Sequence, residues 1–348
     1  MLGNKVLHIG PKFNPPQGGI AQTLYNYKNF IFGENFKFIG NSCPGTKITK
    51  ILFLLKSIIT FWVKLSFDRN INIVHIHTAS RLSFKRSVWF MSMSKILHKK
   101  VIMHIHGGGF KDYYEKGCKS FVSKNLKRCD IVIALSENWK STFEEDLGLR
   151  NIRVLENLIP KPTKLDTVDD GKLHVLFLGL LSKEKGLYDL IEAVRTGHEK
   201  WQNKLVLHIG GNGDSKSFLR EIADLSDIIC FEGWVTGQKK IDLLNLCKIF
   251  VLPSYTEGLP LSILEAMSYG MTIVATPVGA IPSIVKDKEN GLLIPQGSPQ
   301  AIENAFDLLL SSPLMVSQLG KKSETLIEPF LPTNVIERLM QIYFSLLD

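Results

Sequence analysis

The chain is poor in cysteine, with five in 348 residues (Cys43, Cys118, Cys129, Cys230 and Cys247), and they are odd in number and widely scattered. No CxxC pair or metal-finger spacing occurs, which excludes a disulfide-built or zinc-ribbon domain and predicts reduced structural thiols in a cytoplasmic protein. No apolar run of spanning length exists either. The most apolar stretch, Ile48 to Phe67, is interrupted by Lys50, Lys56 and Lys64, whereas a spanning helix wants about 20 mainly apolar residues. No signal-peptide pattern is visible, because the N-terminus runs straight into an apolar strand at Val6–Ile9. No helix-turn-helix, RRM-type or zinc-finger pattern accompanies the positive charge, so nucleic acid is not expected as a partner. The glycine loop Gly210-Gly211-Asn212-Gly213-Asp214 does not fit GxGxxG, so a dinucleotide site is not indicated.

What is present is ample core material, with 45% apolar and 22% charged residues. At this length two domains are the natural expectation. The net charge of +9 hides an asymmetry: residues 1–165 carry 26 Lys+Arg against 10 Asp+Glu, and residues 166–348 carry 16 against 23. A basic first half fits an anionic membrane surface. The lysine-punctuated Ile48–Phe67 stretch, with Phe61 and Trp62, reads either as an interfacial helix or as a buried helix with snorkelling lysines.

Short apolar runs alternate with helical patterns. Strands are expected at Lys5–Ile9, Ile73–His77, Val101–His106, Ile131–Ala134 and Arg153–Leu155, then at His174–Leu178, Leu205–Ile209, Ile228–Phe231, Ile249–Leu252, Thr272–Ala275 and Leu292–Ile294. Near-continuous apolar strands alternating with helices predict α/β domains with parallel, doubly wound sheets. The turn-rich segment Pro160 to Gly171 reads as the linker, and Val335–Leu347 as a final amphipathic helix. Ligands in such sheets bind at the carboxyl ends of strands, so the cleft between two such domains is the expected site.

Several residues there could carry chemistry. The loop Pro11 to Gly19 ends in Gly18-Gly19 and opens a helix, which suits an anionic group, although a plain loop-to-helix turn fits the same residues. Two strands end in His-x-His: His75 and His77, then His104 and His106. No carboxylate or cysteine stands at ligand spacing beside them, so no metal site is expected. His106 differs because Gly107-Gly108-Gly109 follows it, placing its imidazole where a substrate hydroxyl could be met. In the second half, Lys183 and Lys185 follow a strand and precede a helix. Cations there can neutralise a phosphate leaving group. The densest cluster is residues 251–285, where a loop with Glu257 and Gly258 leads into a helix near Leu261 that carries Glu265. The helix start would meet a diphosphate and Glu265 ribose hydroxyls. Equally, Ser262-x-x-Glu265 has the form of a capping box.

Glu257 and Glu265, seven residues apart in EGLPLSILEAMSYGMTIVAT, resemble the EX7E motif of retaining glycosyltransferases of family 4, which adopt the GT-B fold. The likeness runs through VHIHT at 74–78, HIHGGGF at 104–110, VIALS at 132–136, ENLIP at 156–160, KEKG at 183–186, GWV at 233–235 and ENGLLIP at 289–295. It implies two facing Rossmann-like domains: an acceptor domain at 1–162, a nucleotide-sugar donor domain at 171–328, and a terminal helix at 329–348 returning to the first domain. It also implies roles. Gly18 and Gly19 would lie against the donor, His106 and Glu257 by the transferred sugar, and Lys183 and Lys185 at the diphosphate. Gly258 and Leu261 would lie at the helix start, Glu265 at the ribose and Val235 near the base. The donor would be a UDP- or GDP-sugar and no cofactor or essential metal would be needed, in keeping with the lack of any Asp-x-Asp triplet. The acceptor would be a lipid-linked glycan or oligosaccharide in cell-surface polysaccharide synthesis, at the inner face of the cytoplasmic membrane. An epimerase of the same fold and a non-catalytic nucleotide-sugar-binding protein remain alternatives.

The pattern departs from the family in places. Leu180 stands after Gly179 where the family carries Arg, so one of two expected diphosphate cations is missing. Ser283 stands where many members carry Glu, and Ala280 replaces a common glycine.

Overall fold

The computed structural model describes residues 2–16, 18–168 and 170–347; Gln17 of the first loop and Asp169 of the expected linker lie outside the described residues. The chain divides into two compact units, Met1–Pro160 with Phe330–Asp348, and Lys161–Pro329.

In the first unit, β1 (Val6–Pro11), β2 (Lys37–Ser42), β3 (Ile73–Thr78), β4 (Lys100–Ile105), β5 (Ile131–Ala134) and β6 (Ile152–Val154) form a parallel sheet in the order β2-β1-β3-β4-β5-β6. The inner strands run largely apolar because helices cover both faces. Leu7, Ile9, Val74, Ile76 and Met103 pack on one face with Phe61 of α2 (Lys47–Phe67) and Phe90 of α3 (Leu82–Ile96). Val6, Ile73 and Ile102 pack on the other, with Tyr27 of α1 (Gly19–Tyr27) and with Leu339 and Tyr343 of the terminal helix Pro332–Phe344. That helix is therefore part of the first unit's core. Strand β2 was not expected from the sequence; its KFIGNS stretch lies at the sheet edge and is only partly buried.

In the second unit, β7 (Leu173–Leu180), β8 (Leu205–Asn212), β9 (Ile229–Gly233), β10 (Ile249–Leu252), β11 (Thr272–Ala275) and β12 (Gly291–Leu293) form a parallel sheet in the order β12-β11-β10-β7-β8-β9. The expected linker is not free chain at its start. The Thr163 N–H donates to the Tyr269 hydroxyl, and Lys164 pairs with Glu324 at 2.6 Å.

Both sheets reverse their winding once, between β1 and β3 and between β7 and β10. Loops leaving the carboxyl ends of strands on either side of such a reversal diverge and leave room for a ligand. The loops after β7 and β10 carry Lys183, Lys185, Glu257 and Gly258, and the loop after β1 carries Gly18.

Candidate active site

In the second unit, Lys183–Lys185 forms a tight 3-10 turn that Gly186 closes at φ 68°, and the helix Leu187–Trp201 follows. A Cβ at Gly186 would stand 2.0 Å from the Pro253 carbonyl oxygen. Glycine therefore lets the turn after β7 press against the loop after β10. Backbone bonds complete the join: Tyr255 N–H donates to the Glu184 carbonyl, and Ala280 N–H donates to the Gly258 carbonyl. Gly279, at φ 57°, is equally confined, since a Cβ would meet the Glu257 carbonyl at 2.0 Å.

This packing sets Lys185 on Glu257. The ammonium donates to Glu257 Oε1 at 2.5 Å, and the Ser254 hydroxyl donates to the same oxygen at 2.8 Å. Glu257 is only 8% exposed. Both bonds fall on Oε1, so Oε2 keeps its acceptor capacity. The helix Leu261–Ser268 starts three residues beyond Gly258, with Pro260 at the N-cap. Its first i→i−4 bond runs from Leu264 N–H to the Pro260 carbonyl, so the N–H groups of residues 261–263 take no partner from the helix itself. Positive helix end, ammonium and carboxylate thus lie along one loop.

Glu265 is not a cap. Ser262 sits inside the helix, and no side-chain bond caps its start, which removes the capping-box alternative. Its nearly buried carboxylate instead faces Lys240, with contacts of 2.7 and 2.6 Å to the two oxygens. Lys240 was not anticipated; it lies on the helix Gly237–Leu246, and only the basic pair Lys239-Lys240 just after Val235 hinted at it. Val235 itself is buried against Gly210. Lys183 is exposed, and among the described residues no ion pair joins it to Glu257. Leu180 is 52% exposed at the end of β7.

In the first unit, Gly18 caps α1 at φ 94°, and nothing within 4 Å would obstruct a Cβ at Gly18 or Gly19. A polar chain joins this helix start to His106. Thr23 Oγ1 lies 3.1 Å from the Gly19 carbonyl and 3.2 Å from Asn157 Oδ1, and Asn157 bonds the His106 ring. Asn157, inside the ENLIP segment, is a buried residue to which the sequence reading gave no role.

His106 belongs to a larger group. Period two puts His8, His75, His77, His104 and His106 on one face of β1, β3 and β4, and the register pairs His8 with His75 and His77 with His104. His106 Nε2 lies 3.0 Å from His77 Nδ1, and His77 Nε2 lies 3.3 Å from His8 Nδ1. Similarly, His75 bridges His104 at 3.3 Å and the Tyr343 hydroxyl at 2.7 Å. Burial drives all five rings toward the neutral form: His8 and His106 down to about 3, and His75, His77 and His104 well below their ordinary value. The Asn157 bond opposes this at His106 but does not overcome it. His106 is therefore an uncharged, hydrogen-bonded imidazole at neutral pH.

Ligand atoms of His8, His75 and His77, of His77, His104 and His106, and of His208, Cys230 and Glu232 each lie within 4.8 Å of one another, so these residue types are close enough to hold a metal. In the first group the His75 and His77 rings are stacked, 4.3 Å apart and 19° from parallel. Their in-plane lone pairs run side by side instead of converging, which suits a hydrogen-bonded stack better than a coordination sphere.

Two doubly wound parallel sheets of six strands, with polar groups gathered at the winding reversals, define a GT-B protein. Residues 164–326, just under half of the chain, match the family Glycosyl transferases group 1. An uncharacterized glycosyltransferase of Haemophilus influenzae is 30% identical over 217 residues, covering 60% of this chain and 60% of that one; the match thus spans less than two thirds of that relative. The amylovoran biosynthesis glycosyltransferase AmsK of Erwinia amylovora is 25% identical over 69% of this chain and 61% of its own length. Among solved structures, Anabaena Alr3699/HepE in complex with UDP-glucose superposes with a TM-score of 0.78, at 15% identity, over 98% of this chain and 99% of that one.

Proposed function

We propose that the protein transfers a sugar from a UDP- or GDP-sugar to a hydroxyl of a lipid-linked glycan acceptor, with retention of configuration, in cell-surface polysaccharide synthesis. The observation that carries this reading is the Lys185–Glu257 pair at the start of the helix Leu261–Ser268. When the bond from the anomeric carbon to the diphosphate breaks, negative charge develops on the leaving oxygen. Lys185 and the helix N-terminus are aimed at such charge without a metal ion. Lys183, on the same turn, supplies the second positive charge that Leu180 does not. Glu257 Oε2 accepts from a hydroxyl of the transferred sugar, and Glu265, steadied by Lys240, accepts from the ribose. Gly258 and Leu261 give the diphosphate close backbone approach, and Val235 lies by the base.

In the first unit, Gly18 and Gly19 admit the donor closely, and His106 offers a neutral imidazole to the sugar. Its role is orientation, because the ring is not a cation at neutral pH. Relatives named for polysaccharide synthesis, such as AmsK, support the acceptor class. The protein works at the inner face of the cytoplasmic membrane, against anionic lipid.

A thermal-shift screen across UDP-, GDP- and ADP-sugars tests the donor, since ligand bound to the native state raises the melting temperature. Transfer is then followed with the best donor, with and without EDTA, and the product anomer is read by NMR. Wild-type transfer lost in Glu257→Ala supports the reading. Donor interconversion without acceptor would mark an epimerase. Donor binding with neither outcome would mark a binding protein, a second reading that the exposed Leu180 favours.

A further inference from the structure

Helix α2 carries an apolar stripe on its outer side. Ile48, Ile51, Leu52, Leu55, Ile59 and Val63 are each between 52% and 71% exposed, and Phe67 at the helix end is 82% exposed. Their spacing of three and four residues keeps them on one side of a helix. The opposite side is the one that packs: Ser57, Phe61 and Leu65 are buried, with Phe61 against Trp89 and Phe90 of α3. At 21 residues, α2 is about 30 Å long, so the stripe runs the length of a small domain. Contiguous apolar surface of this extent on a folded protein marks a binding face.

Charge decides what binds there. Helix α2 has four lysines (Lys47, Lys50, Lys56 and Lys64) and no acidic residue. Taking about 100° per residue, Lys56 lies between Val63 and Phe67 at one edge of the stripe and Lys47 about 40° beyond Ile51 at the other, while Lys50 and Lys64 lie toward the packed side. The surroundings are equally one-sided: residues 35–111 hold 13 Lys+Arg and one acidic residue. That residue, Asp68, is already paired with Lys37 at 2.5 Å. Two copies of this helix packed together would bring lysines against lysines with no counter-charge. An anionic bilayer meets both demands at once, taking the stripe into the boundary of headgroups and acyl chains while lysines reach lipid phosphates. No helix of the described residues is long and apolar enough to cross a membrane, so the geometry is that of lying on the surface.

We infer that the outer face of α2 is a bilayer-docking surface for anionic phospholipid, seated parallel to the membrane plane with its apolar stripe inserted. This deepens the transferase reading, on which it rests for the purpose of docking, by naming the element that brings the protein to a lipid-linked acceptor.

Vesicle flotation tests it with the full chain. Wild type floats with phosphatidylglycerol–phosphatidylcholine vesicles, less with phosphatidylcholine alone, and less as salt rises. Leu52→Ser, Leu55→Ser and Ile59→Ser combined lower the partition coefficient roughly a hundredfold or more. These side chains are each more than half exposed, so the substitutions leave the buried core of the unit in place. Lys47→Gln with Lys56→Gln removes mainly the preference for anionic vesicles. Unchanged flotation of the triple variant would overturn the inference, as would failure of wild type to float. A wild-type dimer that the triple variant makes monomeric, with no vesicle binding by either, would assign the stripe to self-association instead. Thermal shift with nucleotide sugars is run on the same samples. Vesicle binding without nucleotide-sugar binding would sink the transferase reading and leave the docking surface standing; the converse result would do the opposite.

Discussion

Acidification should unfold the first unit selectively. His8 sits in the core at 1% exposure, ringed by Tyr27 and Phe32 from one side, Phe36 from another, and His75, His77 and Tyr343. Burial lowers its pKa to about 3, whereas an unfolded histidine titrates near 6.5. Below about pH 6.5 the unfolded chain takes up a proton that the folded unit refuses, so stability present at neutral pH is lost progressively as pH falls from about 6.5 toward 3. At about pH 5 the difference is about 1.5 pH units, or about 2 kcal/mol from His8 alone. His75, His77 and His104 are depressed in the same direction. Their effect adds to that of His8 in the same direction, against the 5–15 kcal/mol that holds a typical domain. Urea unfolding followed by hydrogen exchange, with peptides from β1, β3 and β4 reporting the first unit and β10 and β11 the second, resolves the effect. Between about pH 7.5 and pH 5 the first unit's midpoint should fall well beyond the second's. His8→Phe should reduce that pH dependence by about 2 kcal/mol, at the cost of leaving His77 Nε2 unpaired. A first unit equally stable at both pH values, or a slope unchanged by His8→Phe, would refute the neutral-stack argument.

Three further outcomes follow from the second unit. Lys185→Ala leaves a carboxylate 8% exposed without its cation, so it should cost about 3 kcal/mol in urea unfolding and at least about 100-fold in turnover. Pairing Lys185→Met with Glu257→Leu should restore stability but not turnover, whereas recovery of both would remove the pair from the chemistry. Lys183→Ala should leave unfolding unchanged, because the side chain is exposed, yet slow transfer about tenfold or more; wild-type rates would leave Leu180 uncompensated. Gly186→Ala forces a Cβ against the Pro253 carbonyl from a left-handed backbone, so it should cost more than about 2 kcal/mol and raise KM for the donor.

Much of the architecture was legible because buried parallel strands write themselves as apolar runs bounded by turns. Eleven of the twelve strands among the described residues read that way. The twelfth, β2, breaks the pattern with Gly40 and Asn41, and its place at the edge asks less apolarity of it. Lys185 and Glu257 could be singled out for a different reason: each stands in a loop after a strand end, where doubly wound sheets put ligands, whereas Glu265, inside the following helix, was singled out by its spacing from Glu257. What could not be read were partners fixed by tertiary register. Nothing local links Glu265 to Lys240, 25 residues away, and only the fold turns the helix Gly237–Leu246 toward it. The histidines were visible as pairs on two strands, but their joining into one stack with His8 and Tyr343 depends on β1 lying beside β3 and on the last helix returning to that face.

The same logic explains why His106 reads differently in the fold than in the sequence. A strand-end histidine on a glycine loop invites a proton-transfer role. Its ring nitrogens, however, are held by His77 on one side and Asn157 on the other. An imidazole bound at both nitrogens and depressed to about 3 cannot take up a proton at neutral pH without breaking that network. The network couples the tautomers: if His106 donates to Asn157 through Nδ1, its Nε2 accepts from His77 Nδ1–H, and His77 Nε2 in turn accepts from His8. The group at the head of the chain is thus linked to His8 on β1, two strands away. Burial of His8 becomes a condition for how His106 presents itself, and Asn157→Ala should disturb donor binding through orientation without creating a new titration in the pH profile.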